Sequence, residues 1–146
     1  MNATMVRFGY PDTLIHESVR WSVQLRPAQV TLGALVLVCK EPATRFGQLS
    51  DAAFLGLRAM VAAAETALAQ AFGWERINYL MLMMVDPDVH FHVLPRYSSA
   101  RNFAGVAFED AGWPGPPRLD AVNAQAASLI PELVGKIRSC WPADAA

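Results

Sequence analysis

The sequence predicts a single α+β domain over residues 1–146, with helices packed on a mainly antiparallel sheet. Two observations favour this class. Apolar strand patterns lie on both sides of one long helical pattern, and a second helical pattern closes the chain. A chain of 146 residues is the size of one ordinary domain, and it is long enough to bury a core without disulfides or a structural metal.

Two strands are predicted before the long helix. Residues 20–25 alternate between polar and apolar side chains, with Trp21 and Val23 on the apolar side, which is typical of a half-buried strand. Residues 32–39 form a nearly continuous apolar run with Gly33 near its start. Such a run indicates a central strand that is covered on both faces.

The clearest helix in the chain begins after Ser50. Ser50 is a good N-cap residue, and Asp51 suits the first turn of a helix. Apolar residues recur at steps of three and four from Phe54 to Phe72, and Gly73 is a residue type that commonly ends helices.

Two further strands are predicted after this helix. Residues 77–85 are another apolar run, which indicates a buried strand, and Asp86-Pro87 turns the chain. Residues 89–93 then alternate between apolar side chains and histidine. Two strands joined by so short a link are expected to form an antiparallel hairpin.

The rest of the chain predicts a loop and a helix. Residues 98–117 hold Gly, Pro and Trp113 but few periodic apolar residues, so we expect a long ordered loop of the kind that forms flaps. Residues 119–137 carry apolar side chains at helical spacing and predict a C-terminal helix. Pro131 interrupts this pattern and should either kink the helix or start a second one.

Composition argues against several classes of function. The formal net charge of -1 gives no global field that would favour nucleic acid or an acidic membrane. The apolar runs are too short to span a bilayer, and residues 1–10 lack a targeting pattern. Cys39 and Cys140 form no disulfide framework and fit a reducing cytoplasm. Hydrophobic residues make up 53% of the chain, and a homodimer interface would bury this excess.

Two of the three histidines, His90 and His92, stand two residues apart. On a strand, residues at this spacing point to the same face, and Asp88 extends the row. Imidazole serves as nucleophile, general acid or phosphate donor near neutral pH, and a carboxylate beside it favours the protonated ring. The alternative is a pair of polar residues on the outer face of an edge strand, because a His-x-His pattern alone has low specificity.

The surrounding string is more specific. Residues 88–96, Asp-Val-His-Phe-His-Val-Leu-Pro-Arg, resemble the signature of the histidine-triad (HIT) family, in which three histidines alternate with apolar residues and Pro-Arg often follows. Residues 33–38 resemble that family's Gly-His-leading strand, and the helix after Ser50 falls where the family has its long helix. The resemblance covers residues 14–96. It implies a dimeric HIT-like fold with one antiparallel sheet, a long helix and a C-terminal helix.

The resemblance also implies a function. Members of the family are hydrolases or transferases that act on nucleoside phosphoramidates, dinucleoside polyphosphates or nucleotide sugars. The middle histidine attacks the α-phosphate and forms a nucleotidyl-histidine intermediate, and this role falls on His90. The last histidine donates to a phosphate oxygen, and this role falls on His92. The implied ligand is a small phosphorylated molecule, with no cofactor and no metal.

The chain departs from the family pattern at several positions. Asp88 replaces the first histidine of the triad, Arg26 stands where the family has a ribose-gripping residue, and Ala34 replaces the histidine of the Gly-His pair. Residues 83–85, Met-Met-Val, replace a Gly-Gln-Ser-type segment that contacts phosphate. Asp88 has two interpretations: its carboxylate accepts a hydrogen bond from an imidazole such as His90, or it caps backbone N–H groups of the preceding turn.

Three residues are candidates for substrate binding. Arg26 could clamp a phosphate or carboxylate in place of the ribose contact, or it is a surface residue beside Pro27. Asn78 could line a purine pocket, or it is a polar residue at a strand end. Arg96 could hold a phosphate.

Three functions remain open at the level of sequence. The first is a HIT-type phosphohydrolase or nucleotidyltransferase with His90 as nucleophile, His92 as donor and Asp88 beside them. The second is a scaffold that binds a nucleotide or other phosphorylated ligand with little turnover, which the loss of the first histidine favours. The third is a metal site of one carboxylate and two imidazoles, although three residues in one row on one strand converge poorly on an ion.

Overall fold

The computed structural model describes residues 1–145 and confirms the α+β class. Its main sheet has five strands in the order β1-β2-β3-β5-β4, and every pair of neighbours is antiparallel. The five strands are β1 (Leu14–Glu17), β2 (Trp21–Leu25), β3 (Leu35–Cys39), β4 (Arg76–Leu80) and β5 (His90–Arg96). A small second sheet pairs β6 (Arg101–Phe103) with β7 (Val106–Phe108), and the helices are α1 (Ala3–Arg7), α2 (Asp51–Phe72) and α3 (Ile130–Cys140).

Helix α2 has the predicted ends. The Ser50 hydroxyl accepts a hydrogen bond from the backbone N of Ala53, and Gly73 ends the helix in the left-handed conformation at φ 63°. By length and hydropathy this helix could cross a membrane. Here it packs on the sheet, where Met60 and Leu68 are fully buried in the main core. The apolar stripe therefore serves the fold.

Strand β3 is the central strand that the sequence predicts. All five of its residues are buried, and it pairs with β2 on one side and β5 on the other. Gly33 precedes it at φ 84°, a conformation that favours glycine, and a Cβ there would stand 2.8 Å from the Phe72 ring. This close approach lets the end of α2 pack against the start of the strand.

The predicted buried strand over residues 77–85 is wrong in its second half. Strand β4 ends at Leu80, which pairs with His92 of β5. Met83 adopts a left-handed φ of 54°, which interrupts extended backbone, and Met84 is 86% exposed. The link to β5 is therefore a loop rather than the expected tight turn, although β4 and β5 do pair antiparallel.

The N-terminal segment contains two elements that the sequence analysis did not predict, α1 and β1. Helix α1 lies on the face of the sheet opposite α2, where Met5 packs with Val36 and Val38. Because this second face is covered, β2 is buried along its whole length instead of on one face. Its polar residue Gln24 finds a partner there, since Nε2 donates to the Met5 carbonyl at 3.0 Å.

The loop over residues 98–117 is ordered as predicted, and it contains the β6–β7 hairpin. In the C-terminal region, a 3-10 helix over Ala124–Leu129 leads directly into α3. Pro131 lies in the first turn of α3, where its missing N–H costs no hydrogen bond. It therefore starts a second helical segment, one of the two outcomes expected.

Candidate active site

Strand β5 places His90 and His92 on one face of the sheet. Their ring centroids lie 5.3 Å apart, and the rings meet edge to face. In the register of β5 against β3, His92 pairs with Val36 and His90 with Val38, so both imidazoles lie on the face covered by α1. Both are buried, with exposed fractions of 2% for His90 and 8% for His92.

The backbone fixes the tautomer of His90. Its Nδ1 lies 2.7 Å from the carbonyl oxygen of Asp88. A carbonyl oxygen only accepts hydrogen bonds, so Nδ1 carries a proton, and in the neutral ring the lone pair is therefore on Nε2. A neutral imidazole held in this way is oriented to act as a nucleophile through Nε2.

The carboxylate of Asp88 is directed away from the imidazoles. Its Oδ2 accepts hydrogen bonds from the backbone N of Thr4 at 3.2 Å and from the Thr4 hydroxyl at 2.8 Å. The prediction of an imidazole–carboxylate hydrogen bond is therefore wrong. The capping interpretation is nearer, although the capped N–H belongs to α1 and not to the local turn. Asp88 supports His90 through its backbone carbonyl, and its charge anchors α1.

Helix α1 and Phe8, which directly follows it, together form a cover over the two histidines. The centroid of its ring lies 6.1 Å from that of His90 and 5.7 Å from that of His92. The Phe8 carbonyl accepts a hydrogen bond from the Thr13 hydroxyl at 2.6 Å. The carboxylate of Asp86 forms an ion pair with Arg7 at 3.1 Å. These contacts hold an aromatic ring against both imidazoles.

Arg26 joins the histidines on this face. Its Nη1 donates to the Ala28 carbonyl at 2.6 Å. Within the described part of the chain, the buried Nε of Arg26 and the buried Nδ1 of His92 have no hydrogen-bond partner. Burial, together with smaller effects of the Arg26 charge and His90, lowers the pKa of His92 to about 4. The site therefore presents a half-buried cation beside a neutral imidazole, and each has one buried nitrogen without a partner in the described chain.

Asn78 and Arg96 lie farther along the same face and do not join the histidine pair. Arg96 is four residues beyond His92 on β5, which is about 13 Å along a strand. Its Nη1 donates to Asn78 Oδ1 at 2.7 Å. Its Nε and Nη2 hold the Asp110 carboxylate at 2.7 and 3.0 Å, and Nη2 also donates to the Gly115 carbonyl at 2.9 Å. All three nitrogens of this guanidinium therefore already donate hydrogen bonds within the protein.

The residues that the sequence analysis missed at this site are Thr4 and Phe8. One signal for their placement was present, because Asn2 is a good N-cap residue, and its side chain accepts from the backbone N of Met5 at 3.0 Å. A helix of only five residues is too short to show an apolar period. Neither its existence nor its position on the sheet could be read from the pattern.

Asp88, His90 and His92 do not form a metal site in this arrangement. Among residues 1–145, no group of three or more His, Cys, Asp or Glu side chains is placed to hold a metal ion. The physical reason is the direction of the Asp88 carboxylate, which turns to Thr4.

Comparison with solved structures defines the class of fold. No protein-family profile matches the chain, and no curated protein matches it significantly. Several crystal structures match over nearly the full chain, and all are histidine-triad proteins. Their sequence identity to the chain is low, so the likeness concerns architecture: the protein has the histidine-triad fold.

Three of these structures illustrate the likeness. A histidine-triad protein from Bradyrhizobium japonicum is 17% identical with a TM-score of 0.69, and the match covers 97% of each chain. One from Sinorhizobium meliloti is 18% identical with the same TM-score of 0.69, covering 96% of this chain and 95% of that one. A zinc-bound histidine-triad protein from Mycobacterium smegmatis is 17% identical with a TM-score of 0.55, covering 93% of both.

Proposed function

We propose that this protein is a phosphohydrolase or nucleotidyltransferase that forms a covalent intermediate on His90. The observation that carries the proposal is the 2.7 Å contact between His90 Nδ1 and the Asp88 carbonyl, which leaves the Nε2 lone pair for attack. The fold supports it, because one structure that it resembles, with 13% identity and a TM-score of 0.64, is described as a hypothetical histidine-triad nucleotide-binding protein from Sulfolobus tokodaii.

The surroundings of His90 suit a phosphoryl group. Arg26 provides a half-buried positive charge with an unused Nε donor, and His92 provides a second imidazole whose ring centroid lies 5.3 Å from that of His90. A phosphoryl oxygen would satisfy both groups, since guanidinium and imidazole N–H are strong donors to phosphate. An anion bound here also favours protonation of His92, which then donates a hydrogen bond.

The reaction proceeds in two steps. His90 Nε2 attacks phosphorus and forms an N–P bond, while the bond from phosphorus to the leaving oxygen or nitrogen breaks and the leaving group takes up a proton. Water or another acceptor then attacks the phosphorus, the N–P bond breaks, and the imidazole is regenerated. The Asp88 carbonyl stabilises the positive charge that develops on the ring in the first step.

Access to His90 requires a movement of the N-terminal segment. The imidazole is only 2% exposed, and Phe8 lies against it. A phosphorylated substrate reaches Nε2 only when Phe8 and α1 move aside. Local openings of short terminal helices are among the least costly motions of a fold.

The test is capture of the intermediate. The protein is incubated with adenosine 5′-phosphoramidate and with diadenosine tetraphosphate, quenched, and analysed by mass spectrometry of the intact chain and its peptides. We expect a nucleotidyl adduct on the peptide that holds His90, absent from His90→Asn. His16→Asn is the matched control, because His16 stacks on Trp141 at a centroid distance of 5.3 Å and should not affect the reaction. Turnover that persists in His90→Asn would refute the mechanism.

A second candidate is a binding scaffold with little turnover. The closed face over His90 and the replacement of the family's first triad histidine by Asp88 favour it. Under this alternative, adenosine phosphates raise the melting temperature, and Arg26→Gln removes that effect, while no adduct and no hydrolysis appear. Both candidates therefore predict binding of adenosine phosphates, but only the first predicts a nucleotidyl adduct.

We also propose a homodimer that extends the sheet through β4. The other edge strand, β1, is covered, because Arg138 donates to the Leu14 carbonyl. A group of large exposed apolar side chains, Leu82, Met84 and Val85, lies in the loop that directly follows β4. Such a patch marks an interface. Analytical ultracentrifugation should give twice the 15.9 kDa chain mass for the wild type and a shift toward monomer for Leu82→Asp; a wild-type monomer at micromolar concentration would contradict this assembly.

A further inference from the structure

A cavity lies on the histidine face of the sheet, near the end of β5 that is farthest from His90. It has a volume of about 490 Å³, and its walls include Arg76, Asn78, Arg96 and Trp113. This volume falls within the range of small-molecule sites, about 300 to 1,000 Å³. The reaction proposed at His90 does not use this space.

The floor of the cavity is rigid. Arg96 and Asp110 form an ion pair of 2.7 Å, with side-chain exposed fractions of 5% and 1%. Arg96 also donates to the Gly115 carbonyl and to Asn78 Oδ1. Gly112 tightens the same loop, since a Cβ there would stand 2.2 Å from the Pro116 carbonyl oxygen. The network fixes the wall before any ligand arrives, which lowers the cost of binding.

The polar groups that the cavity offers to a ligand are hydrogen-bond donors. Because Asn78 Oδ1 accepts from Arg96, the side-chain amide is oriented and its NH₂ remains for a ligand. Arg76 is exposed, and its Nη1 donates to the Glu75 carbonyl at 3.0 Å. The Glu75 carboxylate is held by Ser98 and Arg101. Since Asp110 neutralises Arg96, the cavity keeps one net positive charge, that of Arg76.

We propose that this cavity binds a planar aromatic monocarboxylate. The two carboxylate oxygens meet the Arg76 guanidinium and the Asn78 amide, and the ring lies against the indole of Trp113 and the adjacent Pro114 and Pro116. One uncompensated cation matches one negative charge. A nucleotide phosphate, with about two negative charges, is matched less well.

The test uses indole-3-acetate and, as the uncharged probe of the same shape, indole-3-acetamide. The chain has four tryptophans, and Trp113→Phe assigns the Trp113 indole signal in a ¹H–¹⁵N spectrum of the full-length protein. We expect saturable shifts of that signal with the acetate, and affinity lower by about tenfold for the acetamide, as for the loss of one charge-assisted hydrogen bond.

Arg76→Gln separates the proposal from nonspecific binding. It should weaken the acetate by about tenfold and leave the acetamide unchanged, and its exposed position makes misfolding no concern. Arg58→Gln, an exposed arginine on α2, is the matched control and should change neither affinity. The proposal is overturned if the Trp113 signal does not shift, if both probes bind equally, or if Arg76→Gln has no effect. None of these outcomes depends on catalysis at His90.

Discussion

Removal of the Thr4 hydroxyl should open the cover over the histidines. The hydroxyl donates to Asp88 Oδ2 at 2.8 Å and accepts from the Asp88 backbone N at 3.3 Å, so it bridges α1 to the residue that supports His90. Thr4→Val keeps the shape of this fully buried side chain and leaves Asp88 in place. Any effect therefore reports on the cover and not on a catalytic role of the carboxylate.

The expected size follows from the hydrogen bonds. A hydrogen bond to a charged group contributes about 2 kcal/mol, and each 1.4 kcal/mol changes a population tenfold. The open state of α1 should therefore become about 30-fold more populated. When opening and closing are fast, the modification rate of a covered side chain follows this population.

The assay is carbethoxylation of histidine by diethyl pyrocarbonate, followed peptide by peptide with mass spectrometry. His90 and His92 should react about 30-fold faster in Thr4→Val, while His16 serves as the internal reference. Thr31→Val is the matched control, because the Thr31 hydroxyl is buried and has no hydrogen-bond partner within residues 1–145. Equal rates for His90 and His92 in the wild type and in Thr4→Val would show that α1 does not control access.

Three further predictions concern stability. Gly33→Ala should lower the free energy of unfolding by about 2 kcal/mol in urea titrations, because φ is 84° and the new Cβ would stand 2.8 Å from Phe72. Gly47→Ala, whose new Cβ meets no atom within 4 Å, should change the free energy of unfolding little. Equal effects of the two substitutions would rule out backbone strain and the Phe72 contact as the cause. Between pH 6.5 and 4, the free energy of unfolding should fall by about 3 kcal/mol more in the wild type than in His92→Gln. The folded pKa of about 4 lies below the ordinary 6.5, so the unfolded chain binds the extra proton as pH falls through that window. Parallel pH profiles of the two proteins would refute this prediction. Arg96→Met should cost about 4 kcal/mol by leaving a buried carboxylate unpaired, and a thermal unfolding midpoint close to that of the wild type would contradict the role of this ion pair.

Several features followed from the sequence alone, because they depend on neighbours along the chain. The two-residue spacing of His90 and His92 fixes a shared face on any strand. The Ser50 cap and the stop at Gly73 bound α2 through local hydrogen bonds and backbone freedom. The unbroken apolar run that contains β3 reported a strand buried on both sides. Each of these signals lies within the element that it predicts or directly at its ends.

Other features were decided only by the tertiary structure. Asp88 acquired its role from Thr4, which lies 84 positions away, and no local pattern encodes that pairing. The position of α1 decides whether β2 is covered on one face or on both. The alternating pattern predicts that Gln24 lies on an exposed face of the strand, but in the structure it is buried. Residues 81–85 look apolar enough for a strand, but Met83 turns the backbone before β5 can pair with them. Where local periodicity is compatible with several conformations, contacts between residues distant in sequence decide which one forms. In this protein such contacts place the cover over the histidines.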